Sequence, residues 1–226
     1  MIGGQRKLAA PRFLFAMIEE FIGRLAQVRP GKDVFNQYDD TLEANVVRRR
    51  NLHLYLQQMR ARNPAMLLVG EAPGYRGGRL TGVPFTSPHF LTRGIEALGL
   101  LGEAQGYQPV PEWPDIRREA TATIVWQTMI ELNIVPLMWN AFPFHPFRAT
   151  RPRSNRSPRA KELRFGGQFL LFLLAMYSIT TVTAVGQRAA HALNLLGIDH
   201  VVLRHPSHGG KARFVQGVKR LAATMR

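Results

Sequence analysis

The chain has 226 residues, 46% of them hydrophobic and none of them cysteine, and its 30 Lys+Arg against 15 Asp+Glu give a net charge of +15. A chain of this size can bury one substantial core, so a single domain is expected. The absence of cysteine excludes disulfides, thiolate zinc sites and cysteine-ligated iron–sulfur clusters.

No apolar run is long enough to cross a bilayer. The strongest, residues 170–176, has polar and basic residues close on both sides and indicates a buried helix. The start, Met1-Ile-Gly-Gly-Gln-Arg, lacks a signal-peptide pattern. We therefore expect no membrane partner and a cytoplasmic, nucleoid-associated location.

Hydrophobic periodicity predicts helices over residues 11–29 and 46–62, ahead of a short buried strand at 66–69. We expect residues 1–62 to form an N-terminal helical extension packed on the rest of the domain. The run Arg48-Arg49-Arg50 is expected to be a solvated helix face rather than a binding element.

Beyond the Gly-Pro-rich turn that ends the first strand, helices alternate with strands. The predicted order is helix 90–100, loop 101–118, helix 119–132, strand 134–139, basic loop 142–157, a helix to about 177 that begins with Ser157 as N-cap and Pro158 as first residue, strand 180–185, helix 187–196, strand 201–203 and helix 211–225. Such alternation implies a parallel sheet with right-handed crossovers and helices on both faces. The predicted fold class is α/β: a three-layer α/β/α sandwich with a short central parallel sheet, formed by residues 1–226 as a single domain.

Three short segments each follow an apolar run, as residues at the ends of parallel strands do. They are Gly70-Glu71-Ala72-Pro73-Gly74, running on to Thr81-Gly-Val-Pro-Phe85; Trp139-Asn140-Ala141; and Arg204-His205-Pro206-Ser207. Open α/β sheets build their sites outside the carboxyl ends of their strands. We therefore expect the three segments to form one site.

The positive charge is distributed unevenly around these segments. Residues 72–95, 132–161 and 200–226 contain no acid and hold 15 of the 30 basic residues, whereas the rest of the chain is balanced. If these three acid-free windows converge, they form one positive face suited to a polyanion. A generally basic composition, common in small bacterial proteins, is the alternative, but it does not explain why acids avoid these windows.

Taken one at a time, the residues of the three segments allow more than one interpretation. Gly70, Pro73 and Gly74 favour a tight turn whose backbone amides could contact an anion or a carbonyl. Phe85 is either core filler or a flat surface for a base. Asn140 is either a backbone cap or a donor and acceptor that match a nucleobase edge.

His205 has a structural alternative as well, and other chemistries find little support. The pair His205/His208 has no carboxylate or cysteine nearby in sequence, so no metal site is expected. There is no G-x-S-x-G, and Ser207 has no evident base and acid partner, so serine hydrolase chemistry is not expected. There is also neither a Walker lysine–threonine pair nor a G-x-G-x-x-G, so no nucleotide cofactor is expected.

In this order, Gly70-Glu-Ala-Pro-Gly74, Thr81-Gly-Val-Pro-Phe85, Asn140 and His205-Pro-Ser207 resemble the motifs of the uracil-DNA glycosylase superfamily. The resemblance covers roughly residues 64–214 and leaves out the N-terminal helices. The first motif and the run from Asn140 to Pro158 are most similar to the bacterial and archaeal iron–sulfur branch, and the second motif is closer to the single-strand-selective branch. Because the chain has no cysteine, that cluster cannot be present, and no cofactor is expected.

The resemblance implies a monofunctional glycosylase of base-excision repair. Such an enzyme hydrolyses the N-glycosidic bond of a flipped-out damaged base, here with uracil as the first candidate, and leaves an abasic site. One alternative keeps the fold and changes the base to hypoxanthine or xanthine; another is a non-catalytic relative that binds nucleic acid. We expect a monomer whose partner is DNA containing a damaged base.

The resemblance also implies roles for matching residues. Phe85 would stack beneath the base, Asn140 would hydrogen-bond its Watson–Crick edge, and His205 would donate to the base O2. The turn, with Gly70, Ala72, Pro73 and Gly74, would pack against base and sugar and place the attacking water.

Two assignments stay open at this point. Ala72 stands where the best-known branch carries a water-activating Asp, so Glu71 is the candidate base or oxocarbenium stabiliser; alternatively it only hydrogen-bonds the turn. Tyr75 and Phe85 are the aromatic candidates for excluding the methyl group of thymine. Arg213 or Phe214 would be the wedge that fills the gap left in the duplex by the flipped-out base. The residues expected to contact DNA are Arg76, Arg79, Arg151, Arg153, Arg156, Ser207, Lys211, Arg213 and Phe214.

Overall fold

The computed structural model describes residues 11–225, with side chains from residue 15 onward. In this part of the chain the helices are α1 (Pro11–Ala26), α2 (Asn45–Arg62), α3 (Gly78–Thr81), α4 (Pro88–Arg93), α5 (Ala120–Leu132), α6 (Ala160–Met176), α7 (Gln187–Leu195) and α8 (Lys211–Thr224). The strands are β1 (Val34–Phe35), β2 (Met66–Gly70), β3 (Leu137–Asn140), β4 (His145–Pro146), β5 (Thr181–Val185) and β6 (Val201–Leu203). Short 3₁₀ turns lie at Glu96–Leu98 and Glu103–Gln105.

Four parallel strands form the central sheet in the order β3-β2-β5-β6. All residues of β2 and β3 are buried, as expected for strands covered by helices on both faces. Helix α1 packs on α2 and α6, α6 packs on α7, and α5 packs on α8. The predicted α/β fold, a single domain with a central parallel sheet flanked by helices, is confirmed.

The N-terminal helices pack directly on this sheet. Phe21 of α1 is fully buried, and its ring centroid lies 5.2 Å from that of Trp139 in β3. Tyr55 of α2 accepts a hydrogen bond from the Met138 backbone N–H at 2.7 Å. The hydroxyl of Tyr177, after α6, donates to the Leu56 carbonyl at 2.8 Å. Aromatic side chains therefore fix α1 and α2 to the strand that ends at Asn140.

Several element boundaries differ from the predicted ones. The helix predicted over 90–100 ends at Arg93 because Gly94 adopts a φ of +75°, which an α-helix cannot continue. The helix predicted to begin at Pro158, with Ser157 as N-cap, begins at Ala160, where the Arg159 backbone N–H donates to the Glu162 carboxylate at 2.6 Å. Strands β1 and β4 pair with each other and were not predicted, since two residues are too few to show a period.

The expectation that Arg48 lies on a solvated helix face is wrong. Arg48 is 1% exposed and donates to Glu112 at 2.5 Å, while Arg50 is exposed as expected. The apolar run 170–176 lies within α6, and no helix of the described residues is both long and apolar enough to cross a membrane.

Candidate active site

The ends of β2 and β3 bring the first two sequence segments side by side. Gly70 and Asn140 are direct partners in the sheet register. Backbone hydrogen bonds continue past the strand ends, from Ala141 N to Gly70 O at 2.8 Å and from Phe142 N to Glu71 O at 3.0 Å. The turn after β2 therefore leaves the sheet at a fixed angle.

Phe85 is held over this turn by an uncommon backbone conformation. Its φ is +51°, a left-handed value that a bulky residue seldom adopts, and its carbonyl accepts a 2.9 Å hydrogen bond from Nε1 of the buried Trp126. The ring lies so close to Gly70 that a Cβ there would stand 2.6 Å from Phe85 Cζ. The same Cβ would stand 2.7 Å from Asn140 Oδ1. Gly70 thus allows the ring and the amide to lie together.

His205 follows β6 and packs on the neighbouring strand end. A Cβ at Gly186, after β5, would stand 3.2 Å from His205 Cβ. The Ser207 backbone N–H donates to His205 Nδ1 at 3.2 Å, and the Ser207 hydroxyl lies 2.7 Å from the same nitrogen. Because Nδ1 accepts, the proton of the neutral ring lies on Nε2. Burial lowers the pKa of His205, which favours this neutral form.

These groups line one cavity of about 320 Å³ at the carboxyl edge of the sheet. Its lining residues are Gly70, Glu71, Ala72, Pro73, Gly74, Gly77, Gly78, Phe85, Thr86, Glu119, Thr121, Asn140, Asn155, Arg156, His205, Ser207 and His208. Residues from each of the three acid-free windows are among them. The structure therefore brings together the three segments that the sequence placed at strand ends.

Glu119 and Asn155 are two of the cavity residues that the sequence interpretation missed. Glu119 caps α5, and its carboxylate accepts hydrogen bonds from the backbone N–H groups of Thr121 and Ala122. Asn155 lies in the basic loop and accepts from Tyr75 N at 2.9 Å. The only sequence signal for Glu119 is its place at the start of a predicted helix, and Asn155 has none beyond its place between basic residues.

Glu71 lines the cavity beside a cation. Its Oε1 lies 3.4 Å from Nε of Arg188, the second residue of α7. Tyr75, one of the two aromatic candidates for excluding a methyl group, does not line the cavity; its hydroxyl accepts from Arg76 Nε at 2.8 Å. Of the two, only Phe85 reaches the site. Across the described residues, no group of three or more His, Asp or Glu could hold a metal ion.

Two of the residues expected to contact DNA are buried, which corrects those predictions. Phe214 is 0% exposed in the core and cannot enter a duplex as a wedge. Arg79 is 4% exposed and donates to Glu112 at 2.8 Å, with its guanidinium 3.9 Å from the ring centroid of Trp113. Both belong to the packing of the protein.

The other predicted DNA contacts divide into paired and open side chains. Arg156 lines the cavity, but its side chain is only 15% exposed and its guanidinium is held between Asp33 and Glu162. Arg153 is exposed and pairs with Asp115 at 3.0 Å. Among the predicted DNA contacts, the exposed residues that form no ion pair within the described part of the chain are Arg76, Arg151, Lys211 and Arg213. Ser207 is half-buried against His205.

Ion pairs fix the long loops beside the cavity. Glu112, in the loop between α4 and α5, lies between the guanidiniums of Arg48 and Arg79. At the end of the basic loop, Arg159 binds Asp33 and holds the pKa of that carboxyl at about 2, well below its usual value. Loops that carry site residues are thereby tied to α2, α3 and the segment before β1.

The comparisons with known proteins agree with this geometry. The family model described as "Uracil DNA glycosylase superfamily" matches residues 57–222, and the chain belongs to this superfamily of DNA glycosylases. Among solved structures it is similar to wild-type SMUG2 of Pedobacter heparinus, with a TM-score of 0.59 and 14% identity over 92% of this chain and 96% of that one, a likeness of fold. A search of curated proteins finds no match. The family identification made from the motifs is confirmed.

Proposed function

We propose that this protein hydrolyses the N-glycosidic bond of a damaged base in DNA, with uracil as the substrate, and leaves an abasic site. The observation that carries the proposal is the convergence of Phe85, Asn140 and His205 on one cavity beside the turn at 70–74. An aromatic ring, an amide with both donor and acceptor, and a ring N–H are the groups that hold an extruded base.

The first step is recognition of the base outside the helix stack. Phe85 offers its ring as the stacking surface, and its pinned backbone keeps the ring in place. Asn140 is 5% exposed at the end of β3 and offers both a donor and an acceptor to the base edge. Extruding a base costs about a few kcal/mol, which stacking and edge hydrogen bonds offset.

The second step is departure of the base as an anion. Neutral His205 presents Nε2–H, because Ser207 occupies Nδ1 on the other side of the ring. A hydrogen bond from Nε2–H to the base oxygen strengthens as negative charge develops there, so it lowers the barrier of bond cleavage. Water completes the reaction, and no lysine Schiff base forms, so the enzyme is monofunctional.

Affinity for DNA comes mainly from the phosphate backbone. The open basic side chains Arg76, Arg151, Lys211 and Arg213 are exposed and belong to the same three acid-free windows that contribute lining residues to the cavity. Each phosphate that they neutralise contributes about −0.9 to the slope of log affinity against log salt. Since Phe214 is buried, Arg213 remains the wedge residue of the pair considered from sequence.

The test uses oligonucleotides, single- and double-stranded, that carry one uracil, hypoxanthine or xanthine. After incubation, alkali cleaves the chain at abasic sites, and the products are counted. We expect cleavage at uracil, lost in Asn140→Ala and His205→Ala. The matched controls are Asn194→Ala and His191→Ala, both exposed on α7.

Three outcomes would contradict the proposal in different ways. Cleavage only at hypoxanthine or xanthine would keep the glycosylase and change its base. Salt-sensitive binding without cleavage of any substrate would make the protein a non-catalytic nucleic-acid binder. Full activity in both alanine variants would refute the residue assignments and leave the fold as it is.

A further inference from the structure

The cavity contains a second carboxylate, Glu119, which comes from a different part of the chain than the motif that carries Glu71. Glu119 lines the same cavity as Phe85 and His205, and its side chain precedes α5. Oε1 accepts from Thr121 N at 3.0 Å, and Oε2 accepts from Ala122 N at 2.5 Å. Both bonds fix the carboxylate where it stands and leave lone pairs on each oxygen for a further contact.

The two carboxylates of the cavity differ in their neighbours. Glu71 lies 3.4 Å from Arg188, whose Nη2 is itself held by the Pro158 carbonyl at 2.7 Å. Across residues 15–225, no cationic nitrogen lies within 4.0 Å of Glu119. Arg76 senses the charge of Glu119 only at longer range, and its Nε is occupied by Tyr75. Within these residues, Glu119 is therefore held by backbone N–H groups alone, whereas Glu71 has a cationic partner.

The charge of Glu119 also acts more strongly on the base-reading histidine. Glu119 and Glu71 both raise the pKa of His205 against the larger effect of burial, and Glu119 has the greater influence. His205 is the group that contacts the leaving base in the proposed reaction. This influence agrees with the place of Glu119 in the lining of the same cavity as His205.

The turn after β2 passes close to this carboxylate because it carries glycine at position 77. A Cβ at Gly77 would stand 2.7 Å from the Thr86 carbonyl and 3.4 Å from Glu119 Cγ. A side chain there would stand against Glu119 on the cavity side. Glycine leaves that side open.

We propose that Glu119, rather than Glu71, is the catalytic carboxylate of this glycosylase; the inference rests on the proposed function. The C1′–N bond breaks and its electron pair leaves with the base, which His205 stabilises. Glu119 balances the positive charge on the sugar. Water forms the new C1′–O bond and gives one proton to Glu119, which then releases it to the departed base, so that the products are the free base and an abasic sugar.

If Glu119 acted only as the N-cap of α5, a variant that keeps the cap and removes the carboxylate would keep the wild-type rate of base excision. Serine is a good N-cap, so Glu119→Ser keeps that function and removes the carboxylate. Glu119→Gln keeps the size of the side chain and removes its charge. Glu96→Gln, on an exposed 3₁₀ turn away from the cavity, makes the same change in net charge and is the matched control.

The first measurement is the single-turnover rate on whichever damaged base the wild type cleaves. We expect both Glu119 variants to lose about 100-fold, typical of a positioned acid–base group, with unchanged binding of substrate DNA. Glu71→Gln should lose clearly less, and Glu96→Gln should retain the wild-type rate. A Glu119→Ser variant with the wild-type rate, or a Glu71→Gln variant that loses more than Glu119→Gln, would overturn the proposal.

The second measurement does not need cleavage, and so separates this inference from the proposed function. Oligonucleotides carry either a cationic pyrrolidine abasic-site analogue or its neutral tetrahydrofuran counterpart, and binding is measured for each. We expect the wild type to prefer the cationic analogue, Glu119→Gln to lose that preference and Glu71→Gln to keep it. Absence of the preference in the wild type, or its persistence in Glu119→Gln, would refute the role of Glu119.

Discussion

Replacing Gly70 by alanine tests whether Phe85 and Asn140 can hold their positions only because residue 70 has no side chain. The added Cβ would stand 2.6 Å from Phe85 Cζ and 2.7 Å from Asn140 Oδ1. To reach an ordinary contact of 3.4 Å, the ring would have to move by roughly 0.8 Å. Neither group moves easily, since Trp126 pins the Phe85 backbone and Asn140 ends a fully buried strand.

The expected loss of activity follows from this displacement. A misplacement of about 1 Å at a reacting centre can cost about 100-fold in rate, and the added methyl group should lower the free energy of unfolding by about 1–3 kcal/mol. We therefore expect Gly70→Ala to remain folded at 25 °C and to cleave uracil-containing DNA about 100-fold more slowly.

The assay is single-turnover cleavage alongside urea denaturation, so that rate and stability are measured on the same preparations. Gly23→Ala in α1 is the matched control, because a Cβ there would meet nothing within 4 Å. It should retain the wild-type rate. A Gly70→Ala variant that is folded and cleaves as fast as the wild type would show that the contact with Phe85 and Asn140 does not set the geometry of the site.

Three further predictions concern stability. Phe214→Ala should lower the free energy of unfolding by about 3–5 kcal/mol in a denaturant titration, because the ring is fully buried; a loss below about 1 kcal/mol would contradict that burial. Glu112→Gln should lower the free energy of unfolding by about 3 kcal/mol, because Arg48 and Arg79 lose the anion that they share. This value is at the low end for a buried ion pair because Glu112 is 31% exposed. Burial lowers the pKa of His145 to about 4 from 6.5, so stability should be full above pH 6.5 and fall by about 3 kcal/mol as pH drops to about 4; His145→Gln should remove this part of the pH dependence.

The order of elements was predictable because the sheet strands are short apolar runs with clear breaks. Residues 66–69 and 201–203 match β2 and β6 to within one residue. Strands β1 and β4 were not predictable from the sequence, because each has only two residues and their pairing joins segments more than a hundred residues apart. The sequence of such a pair contains no period to detect.

Some residues of the site could be predicted from local motifs, and others reach the site only through tertiary packing. Gly70, Phe85, Asn140 and His205 belong to motifs at strand ends, where the fold class itself places a site. Glu119 belongs to no motif and reaches the cavity only through the packing of α5. Charge counts alone could not separate the surface from the interior, because they treat a paired arginine and an open one alike.

The arginines that form ion pairs change the interpretation of the basic composition. Each of the acid-free windows was interpreted as surface, yet Arg79 pairs with Glu112, and Arg156 and Arg159 pair with Asp33 and Glu162. These acids come from outside the windows or, for Glu162, from the residue just past one.

The basic residues of the acid-free windows therefore have two electrostatic roles. Part of their positive charge ties the loops around the cavity to the body of the domain, in a chain without cysteine. Within the described residues, the rest of their positive charge is open and also includes Arg93, Arg148, Lys161, Arg204, Lys219 and Arg220. Within this open part, we expect a phosphate backbone to contact the four residues Arg76, Arg151, Lys211 and Arg213. A loss of DNA affinity on mutating these four, without loss of stability, is the behaviour that distinguishes them from the buried ion pairs.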